Sequence, residues 1–72
     1  MKLKLKEKRS AKKLNYKDMA EKLNISKTFY WQIENDKRNL SYEMAVKISR
    51  ILNTRPDTLF YEEYVERIKK AE

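Results

Sequence analysis

Between Leu14 and Arg38, two short amphipathic segments meet across a turn that contains no glycine. Met19, Ala20 and Leu23 recur at i, i+1 and i+4, so they share one face of a helix over Tyr16–Leu23. Asn15 stands ahead of that helix as an N-cap, because its side-chain oxygen can accept an unpaired backbone N–H. Asp18 falls in the first turn, near the positive helix end. Asn24 sits where the helix must stop, and asparagine tolerates left-handed backbone better than other non-glycine residues. Ile25 then drops into the core. Ser26 caps a second helix over residues 27–35, with Tyr30 and Ile33 inward.

The same periodicity runs through the rest of the chain. A helix over residues 3–13 turns Leu5 and the stem of Arg9 inward, with Ala11 a third candidate, and Leu14 closes against the core. Residues 35–40 form a polar loop. Ser41 caps a helix whose Met44, Ala45, Ile48, Ile51 and Leu52 make one buried stripe, and Asn53 ends it. Pro56 suits the first turn of a fifth helix, where its missing N–H costs nothing. Leu59 and Phe60 point inward. Beyond them Tyr61, Tyr64, Val65 and Ile68 recur at helical spacing. The fold class expected is therefore all-α: five helices in a domain over residues 1–60, with residues 61–72 an amphipathic helical extension of the same domain.

Composition excludes several functions. At 72 residues the chain makes one small domain. A domain near that size buries only about 60% of its unfolded surface and has little room for a deep cleft. Cysteine and histidine are absent, which removes disulfides, thiolate metal sites and the commonest acid/base catalyst. No glycine loop can cradle phosphate. Glu62, Glu63 and Glu66 line a solvated helix and do not form a paired acid and base. We expect no enzyme, no metal, no cofactor and no small-molecule effector.

The net charge is +7 and the pI about 9.7, which favours a polyanionic partner. The charge is uneven: residues 2–13 hold seven basic residues and one acid, whereas residues 57–72 hold five acids and three basics. The basic end is the better candidate for facing phosphate. No apolar run approaches the roughly 20 residues that span a bilayer. The amino-terminal residues MKLKLKEKRS have no apolar segment after their charges, so they do not read as a signal peptide.

With these residues in view, the sequence resembles the lambda-repressor-like helix-turn-helix family, the Cro/XRE group. The resemblance covers roughly residues 5–60. It rests on Arg9, on Leu14, Asn15, Met19, Ala20, Leu23, Ile25 and Ser26, and on Ile33 with Glu34. It continues through Lys37, Arg38, Asn39 and Ser41 to Ile48, Leu52, Asp57, Leu59 and Phe60. Ala20 is small, as it must be where two helices cross at roughly 90–120°. The family usually has glycine where this chain has Asn24, Asp36 and Asn53, all residue types enriched at positive φ. It often has glutamine where this chain has Tyr16.

The resemblance implies that Arg9 and Glu34 form a partly buried salt bridge. It implies that the second motif helix lies in the major groove of double-stranded operator DNA, in the manner of a small phage regulator in a bacterial cytoplasm. By family register Lys27, Thr28 and Gln32, with Trp31 beside them, read bases. Asn15, Tyr16, Lys17, Lys37 and Arg38 contact phosphates, which position a protein without conveying sequence.

The run Phe29, Tyr30, Trp31 qualifies that picture. Tyr30 takes an aliphatic core position, and its neighbours lie about 100° to either side, so at least one meets the working face. Exposed aromatics anchor protein interfaces. A second function class therefore stands beside the first: an anti-repressor that binds a partner phage repressor through Phe29, Tyr30 and Trp31. Tyr61, Tyr64, Val65 and Ile68 exceed what a lone helix can bury and make a candidate homodimer face.

Overall fold

The computed structural model describes residues 1–71; for Glu63, Arg67 and Ala71 only the backbone is described. It is all-helical: α1 (Leu3–Ala11), α2 (Tyr16–Leu23), α3 (Lys27–Glu34), α4 (Tyr42–Ile51) and α5 (Pro56–Ala71). α2 packs chiefly on α3 and also on α4, while α5 packs on α4 and α1. None of these helices is long and apolar enough to cross a membrane.

Local chemistry sets the starts of the helices. Asn15 Oδ1 accepts from Asp18 N–H at 2.8 Å, and Asp18 Oδ2 accepts from Asn15 N–H at 3.0 Å, a reciprocal capping box at the head of α2. Ser26 Oγ takes Phe29 N–H at 3.0 Å and Ser41 Oγ takes Met44 N–H at 3.1 Å. Each bond satisfies one of the donors that a helix start leaves without a partner.

The helix ends share one device. Lys13, Asn24, Asp36 and Asn53 all have φ between 54° and 61°. After each, the chain closes by a pair of backbone bonds: Leu14 to Arg9 and Lys13 to Ser10, Ile25 to Ala20 and Asn24 to Glu21, Lys37 to Gln32 and Asp36 to Ile33, Thr54 to Ser49 and Asn53 to Arg50. This is the Schellman closure, usually built around glycine. Asn24, Asp36 and Asn53 are the positions expected from sequence. Lys13 is new, and it explains why α1 is shorter than the span of residues 3–13. The chain leaves the helix after Ala11, which turns out exposed rather than inward. α3 likewise stops at Glu34, with Asn35 at its C-cap.

Leu5, Met19, Ala20, Leu23, Tyr30, Ile33, Leu40, Ala45, Ile48, Leu52, Leu59 and Phe60 form one core. Full burial of each large aliphatic or aromatic side chain stabilises by about 1.5–3 kcal/mol. The stripe on α4 is graded: Ala45, Ile48 and Leu52 are buried, and Met44 and Ile51 are half-buried at its margin. α5 kinks at Phe60 (φ −124°, ψ 15°), so the extension departs in a new direction after the last core residue. Along it Tyr64 and Val65 are half-buried, while Tyr61 and Ile68 are exposed.

Arg9 and Glu34 form the bridge that the resemblance implies, and it is more enclosed than expected. Arg9 Nε and Nη2 donate to the two carboxylate oxygens of Glu34, each at 2.9 Å, and Nη1 donates to Leu14 O at 2.8 Å. Glu34 is fully buried. The Arg9 guanidinium also lies over the Tyr16 ring, 4.5 Å from its centroid. Glu34 holds the Arg9 pKa above its ordinary value against the opposing effect of burial. Tyr30 lies close by, with its ring 6.0 Å from that of Tyr16. Burial first, and then the Glu34 carboxylate, push the Tyr30 phenol well above its ordinary pKa.

Glu34→Ala leaves a buried guanidinium unpaired and should cost about 3–5 kcal/mol in urea unfolding, whereas Arg9→Met with Glu34→Leu should recover most of that loss. A double variant no more stable than Glu34→Ala would show the pair to be a net stabiliser. Lys13→Gly should raise stability by about 1 kcal/mol, because it removes a side chain from left-handed backbone. An unchanged urea midpoint would mean that Lys13 sits there without strain.

Candidate nucleic-acid interface

The inward set of α3 is Tyr30, Ile33 and Glu34. Steps of about 100° per residue then put Thr28 and Gln32 on the opposite side, with Lys27 and Trp31 beside them. Lys27, Thr28 and Trp31 are exposed, Trp31 at 41%, and Gln32 is half-buried. The aromatic run is thus divided among three environments. Tyr30 is core, Phe29 packs half-buried on the flank, and Trp31 faces out with the polar residues.

The candidate phosphate contacts come from the start of α2 and the loop after α3. Asn15 and Lys17 are exposed. The Asn15 oxygen is engaged in its cap, which leaves its amide N–H groups as donors, the polarity a phosphate needs. Tyr16 is half-buried, its ring held between Arg9 and Tyr30. Lys37 and Arg38 are exposed. Their loop is tied to α3 twice, by Lys37 N–H to Gln32 O at 2.8 Å and by Arg38 Nε to Gln32 Oε1 at 3.1 Å. The Arg38 guanidinium also lies 4.2 Å from the Phe29 ring centroid. The structure therefore joins Phe29, Gln32 and Arg38 into one cluster, which sequence reasoning had assigned to separate roles.

The far end of α3 is held by Lys2, which no local sequence pattern distinguishes. Lys2 N–H donates to Glu34 O at 2.9 Å, and Lys2 Nζ donates to Ile33 O at 2.7 Å. Lys2 Nζ and the Met1 amino group both pair with Asp36. Lys2 is buried, so it leaves the basic surface expected of residues 2–13 and instead neutralises the negative end of α3. Nothing in composition separates Lys2 from the other lysines, because only the docking of α1 selects it.

The bond from Lys2, then that from the Met1 amino group, holds the Asp36 carboxyl below its usual pKa. A depressed carboxylate adds stability that is present above its unfolded pKa of about 3.9 and is lost as pH falls through the folded value. Asp36→Asn keeps a residue suited to positive φ and removes the charge. Its urea midpoint should fall below that of the parent chain at neutral pH, and the gap should close below about pH 4. A gap that stays constant down to pH 2 would break the link to ionisation.

A helix-turn-helix family model matches residues 5–59. Comparisons with curated proteins and with solved structures gave no match. That match spans the Arg9–Glu34 bridge, the α2–α3 crossing and the exposed face of α3. The chain belongs to the Cro/C1-type helix-turn-helix family, whose domains are DNA-binding modules of transcription regulators.

Proposed function

We propose that the chain regulates transcription by binding operator DNA with α3 in the major groove, in a phage-type genetic switch inside a bacterial cell. The observation that carries this reading is the sorting of α3. Its core contacts lie on one side, and Lys27, Thr28, Trp31 and Gln32 lie on the other. Lys27 can donate to guanine O6 and N7, and Thr28 can meet a polar edge or a thymine methyl. Gln32 reads a purine edge, and Trp31 covers methyls or sugars. Asn15, Tyr16 and Lys17 on one flank and Lys37 and Arg38 on the other contact phosphates and set the register. Two copies on a palindromic site would meet through the extension, where Tyr61 and Ile68 are exposed beside Tyr64 and Val65.

One observation favours a second reading. Trp31 is exposed at 41% on the working face, and a tryptophan so placed suits a pocket on another protein. The partner would be a repressor that this chain keeps from DNA. Capture of that repressor should then be lost in Trp31→Ala with the helical content unchanged, and undiminished capture would remove this alternative.

Direct operator binding is tested by fluorescence anisotropy with duplexes selected from a randomised library, over a range of salt. Affinity should fall steeply with salt, and Lys17→Ala or Lys37→Ala should each flatten the log–log slope by about one. Trp31 is the single tryptophan, so its iodide quenching should drop on the bound duplex. Failure to select any sequence, with Trp31 emission unchanged, would overturn the proposal.

A further inference from the structure

The pairing of Gln32 with Arg38 has a consequence for which base Gln32 can read. Guanidinium groups carry donors only. The Gln32 amide must therefore turn its oxygen toward Arg38 Nε, 3.1 Å away, and its Nε2 the other way. The amide orientation follows from the partner's chemistry, so it is not open to a flip. Three contacts keep the partner in place. The guanidinium lies over Phe29. Phe29 itself packs on the core. The neighbouring Lys37 N–H is bonded to Gln32 O.

A free glutamine reads adenine by accepting from N6 while donating to N7. Here one of the oxygen's two lone pairs is engaged by a cation, which makes it a poorer acceptor for adenine N6–H and leaves the amide to act chiefly through its donors. The remaining nitrogens of Arg38 are donors too. This corner of α3 thus presents chiefly donors. Guanine offers two adjacent acceptors, N7 and O6, whereas adenine sets an amino donor beside its N7. We infer that Arg38 is a positioning residue that makes Gln32 a reader of guanine instead of adenine. The inference rests on the proposal that α3 reads the major groove, and it adds a specificity role to an arginine otherwise assigned to phosphate.

The test is selection from a randomised duplex library with the full chain, its Gln32→Ala variant and its Arg38→Ala variant. A thermal melt by circular dichroism accompanies each. Gln32→Ala should erase the preference in one column of the selected motif, and that column should be guanine in the parent. Arg38→Ala should move the same column toward adenine, by about tenfold in relative affinity, and leave the other columns in place. Arg38→Met keeps an aliphatic stem against Phe29 but no donor, and it should give the same shift. Guanine retained in both Arg38 variants, at whatever affinity, would overturn the inference while leaving operator binding intact. An adenine column in the parent, or a Gln32→Ala motif with no column changed, would overturn it as well. A parent chain that selects no motif would defeat the operator reading first and this inference with it.

Discussion

The Arg9–Glu34 pair is the joint on which the rest of the structure depends. Its two bonds run from the last turn of α1 to the last residue of α3, and a third reaches Leu14 O between α1 and α2. Three segments are therefore fixed to one guanidinium. Tyr16 lies beneath that guanidinium at the start of α2, and Tyr30 lies against Tyr16 from the middle of α3. A buried ion pair is a poor source of net stability, because removing both charges from water costs about as much as their attraction returns. Its value here is geometric. A bidentate fork admits one approach of carboxylate to guanidinium, so the rotation of α3 about its own axis is set by the bond.

That rotation matters because α3 has only eight residues. An isolated helix of that length is not stable in water. It needs its ends held, and both are. Ser26 closes the start. At the finish, the carbonyls of Gln32, Ile33 and Glu34 are taken by Lys37 N–H, Lys2 Nζ and Lys2 N–H. Lys2, the residue that precedes α1, is thus the counterpart of Ser26 at the other end. α1 grips α3 by Lys2 as well as by Arg9, so its docking fixes both the tilt and the termination of the exposed helix.

Much of this was legible from the residues. The α2 boundaries, the caps at Asn15, Ser26 and Ser41, and the left-handed turn at Asn24 depend on interactions within a few positions of sequence, whereas the turns at Asp36 and Asn53 were marked by the glycine positions of the family. The core positions of Tyr30, Ile33, Ile48 and Leu52 follow from helical period alone. The Arg9–Glu34 bond spans 25 residues, and only the family resemblance implied it. What stayed hidden required tertiary information. Lysine has no preference for left-handed backbone, so Lys13 gave no sign that α1 ends early. Lys2 is buried only because α1 happens to present it to the end of α3. Arg38 meets Phe29 and Gln32 only once the Asp36 turn has reversed the chain.

The division of the aromatic run bears on the two functional readings. A protein that bound Trp31 in a pocket would have to cover Lys27, Thr28 and Gln32, since these surround it on the same half of α3. The duplex and a protein partner would therefore compete for one surface, and binding of either would exclude the other. Phe29 takes no part in that competition. It is half-buried, and the guanidinium of Arg38 lies over its ring. The cation thereby covers an aromatic flank on the other side of Gln32 from Trp31. A face built chiefly to bind protein gains by leaving that flank open, whereas a face built to meet an acceptor-rich groove edge gains by covering it with donors. The covered flank, with Arg38 over Phe29, favours the operator reading proposed above.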